Sequence, residues 1–101
     1  MIARIWHGWT KPENANSYEE LLRTRILPAI RQKSGCQGIH LFRRAAGAEV
    51  EFVTLLFFDS LEAIRKFAGE DYEMAVVPLE ARKLLARFDE RSTHYETVLQ
   101  L

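Results

Sequence analysis

The nine residues Val50–Phe58, Val-Glu-Phe-Val-Thr-Leu-Leu-Phe-Phe, are apolar on both alternating sides of a strand. Successive strand side chains point to opposite faces. Val50, Phe52, Leu56 and Phe58 therefore face one way, and Val53, Leu55 and Phe57 the other. A strand with one wet face would be polar on that side. The sheet that holds this strand must be covered on both faces. The 101 residues suit one domain, spanning 1–101, and the rest of the chain offers about two amphipathic helices. Two helices cover one face of a small sheet. The other face calls for a second copy of the chain, so a homodimer is expected.

Composition narrows the function classes. Fourteen basic residues balance fourteen acidic ones, so no overall field favours nucleic acid, anionic membrane or acidic substrates. A ferredoxin-like RNA-binding sheet would need stacking aromatics and a basic surface, and Glu49 and Glu51 oppose that. One cysteine, Cys36, excludes an intrachain disulfide and any cysteine-rich metal site, and nothing marks it as an activated nucleophile. The start lacks a signal-peptide layout and no apolar run spans a bilayer, so a soluble cytoplasmic protein is expected, without a membrane partner. The glycines at Gly35 and Gly38 do not form a phosphate loop.

Periodicity orders the elements. Ile2–Trp9 alternates as a first strand, with Ile2, Arg4 and Trp6 on one side and Ala3, Ile5, His7 and Trp9 on the other. A helix follows from Asn14 or Asn16, with Tyr18, Leu21, Leu22, Ile26, Leu27 and Ile30 at helical spacing. Pro28 should kink it, and Gly35 suits a left-handed end. Ile39–Arg44 and Glu49–Phe58 read as a hairpin around Ala45–Ala48, which sets Arg44 opposite Glu49 and Phe42 opposite Glu51. Asp59 or Ser60 caps a second helix bearing Leu61, Ile64 and Phe67. Asp71–Val77 reads as a short helical piece, Leu79–Phe88 has helical spacing, and Thr93–Leu101 is the last strand.

The order βαββαβ implies an α+β, ferredoxin-like antiparallel sheet with both helices on one face. The first strand then lies between the third and fourth. A helix-free face this apolar is uncommon on a monomer, which gives a dimeric α/β barrel.

With that order in place, the chain resembles the antibiotic-biosynthesis-monooxygenase-like proteins of the dimeric α/β-barrel superfamily over nearly its whole length. The resemblance rests on Ile2-Ala3-Arg4-Ile5-Trp6-His7-Gly8 with Thr10, the helix start Asp59-Ser60, Ala63-Ile64-Arg65-Lys66-Phe67-Ala68-Gly69-Glu70-Asp71, and His94-Tyr95-Glu96. It implies a cofactor-independent monooxygenase-like protein that holds a small aromatic or polyketide-like molecule between sheet and helices. The alternative is a non-catalytic dimeric ligand-binding or auxiliary protein. Haem-degrading members use an Asn, a Trp and a His, whose places fall at His7, Phe67 and Val76 or Val77. Haem degradation by that arrangement is not expected, and no cofactor is implied.

His7 and His94 are the candidate catalytic pair. The end of the first strand and the start of the last should meet, which would put both imidazoles on one face. One could act as general base near neutral pH while the other holds a substrate oxygen. The competing reading is that each satisfies a local hydrogen bond at a sheet end. Trp6, Trp9, Phe67, Tyr72 and Tyr95 are the candidate substrate-binding residues, able to stack on or hydrogen-bond an aromatic ligand. Ordinary core or interface packing competes with that role. No metal site is expected, because two imidazoles lack a carboxylate or third imidazole, and His40 lies towards the other sheet edge. Arg43 and Arg44 should pair in solvent with Glu49 and Glu51.

Overall fold

A computed structural model describes residues 1–101. Strand β1 (Ile2–Thr10) leads into a helical arm made of α1 (Pro12–Leu21), a π-helical stretch (Leu22–Ile26) and α2 (Leu27–Arg31). The hairpin β2 (Cys36–Ala46) and β3 (Glu49–Phe58) follows, then α3 (Leu61–Ala68), α4 (Leu79–Arg82), β4 (Leu85–Phe88) and β5 (Thr93–Glu96). All strand pairs are antiparallel. The order is β2-β3-β1, and β1's other edge is shared: β4 pairs with Gly8–Thr10, and β5 with Ile2–Ile5. This is the ferredoxin-like arrangement, with the last strand's place filled in two pieces. No helix is long and apolar enough to cross a membrane.

Both helical layers pack on the same sheet face. Ala15, Tyr18, Leu22 and Leu27 of the arm enclose Phe52 together with Ala81, and Ile64 of α3 packs with Cys36, Leu56 and Phe58. On that face Phe52 and Phe58 are fully buried. On the other, Val53, Leu55 and Phe57 are half-buried, while Phe42 is 50% and Tyr95 56% exposed. The apolar alternation of β3 thus becomes one core face and one open face.

Local chemistry explains the elements. The helical arm begins at Pro12 rather than at Asn14 or Asn16, because proline suits a first helical position where its missing N–H is not needed. Pro28 also offers no N–H to the carbonyl four residues earlier. The helix widens just before it, and Leu27 N–H donates back to Leu22 O, five residues away. Ser60 caps α3 by accepting from Ala63 N–H at 3.2 Å.

Four expectations are corrected. The hairpin turn is the tight pair Gly47-Ala48, with Gly47 at φ +65°, so Arg44 faces Glu51 and Phe42 faces Val53. The register therefore moves by two, and Arg44 Nε donates to Glu51 Oε1 at 2.7 Å. Arg43 turns to the helical side and pairs with Glu19, while Glu49 pairs with Arg87. Asp71–Val77 is not helical: its carbonyls and N–H groups bond Arg4, Glu90 and Ser92 instead. Leu79–Phe88 divides into α4 and β4 because the open edge of β1 offers Leu85–Phe88 a pairing partner. Pairing of the last strand ends at Glu96, short of Leu101.

Gly35 fits its place for two reasons. Its φ is +87°, and a Cβ there would stand 2.5 Å from the Ala63 Cβ of α3. Gly35→Ala should cost about 2–4 kcal/mol, combining left-handed strain with overpacking. Gly47→Ala, at φ +65° with nothing within 4 Å, should cost only about 1 kcal/mol. Urea unfolding of both variants at one protein concentration measures the difference.

Candidate functional site

The helical arm lies over β1 and β3 but does not fill the space between them. A cavity of about 50 Å³ remains. Trp6, Thr54 and Leu56 form its floor; Tyr18 and Leu22 come from the arm and Phe67 from α3. The Val76–Pro78 segment closes one side, and Ser92 another. An outer recess of about 280 Å³ shares Ile26, Ile30, Phe67, Val76 and Pro78 with it. At the rim of that recess Arg25 pairs with Glu80 at 2.5 Å.

The two candidate histidines are not brought together. His94 is opposite Arg4 in the β1–β5 ladder and lies on the helix-covered face. His7 is opposite Val53 and lies on the open face. His94 shares the face of its β1 partner Arg4, and Arg4 and His7 are an odd number of residues apart on β1, so the two imidazoles point oppositely. The expectation erred because the sequence places the strand ends together without fixing register.

Each imidazole has a specific partner. His7 Nδ1 bonds Glu51 Oε2 at 2.8 Å, and Glu51 also accepts from Arg44. These contacts, the one from His7 foremost, hold the Glu51 carboxyl below its ordinary pKa. His94 Nε2 meets Arg4 Nη1 at 2.9 Å. A guanidinium only donates, so Nε2 accepts and the imidazole proton sits on Nδ1. That Nδ1 is buried without a partner. Burial first, then the Arg4 charge, lowers the His94 pKa, with Glu73 opposing them weakly.

Arg4 is a site residue that sequence reasoning passed over. It is 2% exposed, and no carboxylate meets it. Its guanidinium donates to Tyr72 O at 2.5 Å and Met74 O at 3.0 Å, and lies 5.5 Å from the Phe67 ring centre. Burial lowers its pKa to about 10, which leaves it charged at neutral pH. It ties β1, β5 and the segment after α3 together beside the cavity wall. The signal was available: a lone arginine between Ile2 and Trp6 on the apolar side of β1.

The predicted binding residues divide. Trp6 and Phe67 line the cavity. Trp6 Nε1 already donates to Asp89 O at 2.7 Å, so it offers a ligand its ring alone. Tyr72 stands outside the cavity, edge-on to His94 at 5.3 Å and beneath Arg65. Trp9 is on the open face, stacked with His7 and covered by the Arg87 guanidinium at 3.9 Å. Tyr95 is opposite Ala3 on that same face. Tyr18, Thr54 and Ser92 line the cavity and were not singled out. Tyr18 falls on the apolar stripe of a helix, a place where sequence cannot tell core from cavity.

The neutral His94 makes stability fall in mild acid. The unfolded chain takes up a proton near pH 6.5, the ordinary histidine value, whereas the native imidazole does so only at lower pH. Stability should therefore be full above about pH 7, decline as pH drops below 6.5, and level off once the native imidazole charges. The Glu51 contribution is separate, since it is lost only below the ordinary carboxyl value of 4.5. In His94→Gln, the side-chain oxygen can still accept from Arg4. Urea midpoints at pH 7.5 and 5.5 should differ clearly less in that variant than in the native protein.

Comparisons with known proteins agree on the fold. The family model described as antibiotic biosynthesis monooxygenase matches residues 1–77. No curated protein matches in sequence. Among solved structures, Rv0793 from Mycobacterium tuberculosis is 22% identical with a TM-score of 0.62, covering 98% of this chain and 96% of that one. A point mutant of MhuD, with two manganese protoporphyrin IX molecules bound per active site, is 20% identical with a TM-score of 0.64, covering 100% of this chain and 98% of that one. Identities this low establish shape, not chemistry.

Proposed function

This chain belongs to the antibiotic biosynthesis monooxygenase family, and on that footing we propose that it acts as a homodimer that takes a small aromatic or polyketide-like molecule into the cavity and oxygenates it without a cofactor. The observation that carries this is the apolar cavity enclosed by Trp6, Leu22, Leu56 and Phe67, with an outer recess beside it. At about 50 Å³ the cavity is smaller than one ring, since a cavity of roughly 150 Å³ takes benzene. Entry therefore requires outward movement of Ile26, Ile30 or Val76, the residues between cavity and recess. Breaking the exposed Arg25–Glu80 pair costs little.

Oxygenation without a cofactor starts with loss of a substrate proton, and the resulting anion reacts with O₂. One observation supports a second reading, a binding protein without catalysis. Neither histidine lines the cavity: His94 is held against Arg4 through Nε2, and His7 faces the open side. An oxygen electrode separates the two. Uptake with dihydroxylated aromatics, reduced at least tenfold in His94→Ala and unchanged in His7→Ala, supports oxygenation with His94 as the base. Ligand binding with no O₂ uptake favours the second reading.

The open sheet face supports the homodimer. Ile5, Val53, Leu55 and Phe57 are only half-buried there, with Phe42 and Tyr95 exposed beside them. Burying a few hundred Å² of such surface per partner contributes on the order of 10 kcal/mol before association costs. The His7–Glu51–Arg44 network sits on the same face and sets its polar border. Sedimentation at micromolar concentration should give a dimer for the native chain. Leu55→Glu, a charge at the centre of that face, should halve the mass while the fold persists.

A further inference from the structure

The side chains that line the cavity are hydrocarbon or aromatic except for three that carry a hydroxyl. Tyr18 is 1%, Thr54 6% and Ser92 5% exposed, and all three line it. They come from separate parts of the fold: the helical arm, β3 and the segment entering β5. Ser92 is fixed there by its N–H, which donates to Glu73 O at 2.6 Å. None of the three hydroxyls bonds another protein group, and they are not sealed off as the Thr10 hydroxyl is. Burial alone, with no hydrogen bond to oppose it, drives the Tyr18 pKa upwards, so its phenol stays a donor at any physiological pH. Buried polar groups are ordinarily hydrogen-bonded. Three hydroxyls without a protein partner around one space are free to bond water or an oxygen or nitrogen of a ligand.

The charge of that group follows from the walls. No ionisable carboxylate, amine, guanidinium or imidazole lines the cavity. A carboxylate or ammonium placed there would be desolvated without a counter-charge. Arg4 does not line the cavity, and three of its five N–H groups already donate to Tyr72 O, Met74 O and His94. A carbonyl or hydroxyl oxygen meets no such penalty.

We infer that Tyr18, Thr54 and Ser92 form a specificity subsite that hydrogen-bonds an uncharged carbonyl or phenolic oxygen of the ligand and rejects charged analogues. The inference rests on the cavity being the ligand site. The ring lies between Trp6 and Phe67, and the oxygen points inward to the hydroxyls.

Three single-ring probes of similar size test it on the full-length chain: acetophenone, ethylbenzene and benzoate, with affinities from ligand-observed NMR. Acetophenone should bind roughly tenfold tighter than ethylbenzene, the worth of one or two hydrogen bonds, and benzoate should not compete. In Tyr18→Phe, Thr54→Val and Ser92→Ala combined, acetophenone should weaken to the level of ethylbenzene. Unchanged ethylbenzene binding in that variant shows that the cavity is intact. Equal affinity of acetophenone and ethylbenzene for the native chain overturns the inference and leaves the cavity reading standing, as does equal weakening of both probes in the variant. If no probe binds, the cavity reading fails first and the inference with it.

Discussion

A sheet apolar on both faces, with helices for only one, is the constraint on which the molecule is built. The helical arm and α3 bury Phe52, Leu56 and Phe58. Val53, Leu55 and Phe57 remain on the far side, half-covered. Because strand side chains alternate, no shift of register relieves this: moving β3 by one residue exchanges one apolar set for the other. The core, the position of the cavity and the open apolar face all follow from that unequal cover. The cavity lies where the helical arm spans β1 and β3 without filling the gap above Trp6 and Thr54.

Arg4 is the second organising element. A buried guanidinium without a carboxylate is costly to desolvate, and it is tolerated only where its donors are met. Here two main-chain carbonyls and one imidazole meet them, from Tyr72, Met74 and His94. The irregular segment after α3 is therefore held by its own backbone rather than by helical pairing. That segment supplies the wall of the cavity at Val76–Pro78. The same contact assigns His94 its tautomer and adds to burial in keeping it neutral. A residue with no role in packing alone thus sets the geometry of one side of the site.

The fold was legible in the sequence, down to a cap at Asp59 or Ser60, the left-handed Gly35 and the central place of β1. These are local or periodic properties, and the residues that specify them are adjacent in the chain. The site was legible only in part. Trp6 and Phe67 reach the cavity, whereas Trp9, Tyr72 and Tyr95 do not, although all five are large aromatic residues. The pairing of His7 with His94 failed on parity. Adjacent strand ends can meet with side chains on either face, and one residue of register decides which. The hairpin failed likewise, by two residues, because Gly47-Ala48 closes a tighter turn than the four small residues suggested.

The linear pattern of apolar and polar residues by itself determined the element order from β1 to α3 and the sheet's two greasy faces. Those are sums over short stretches, fixed by the two- and 3.6-residue repeats of strand and helix. Only the tertiary structure decided which side chains converge. Whether Tyr18, Thr54 and Ser92 share one space, or Arg4 meets His94, depends on contacts between residues far apart in the chain. Such contacts arise from register, from turn length and from where a widened helix comes to rest. None of these is written in any single segment.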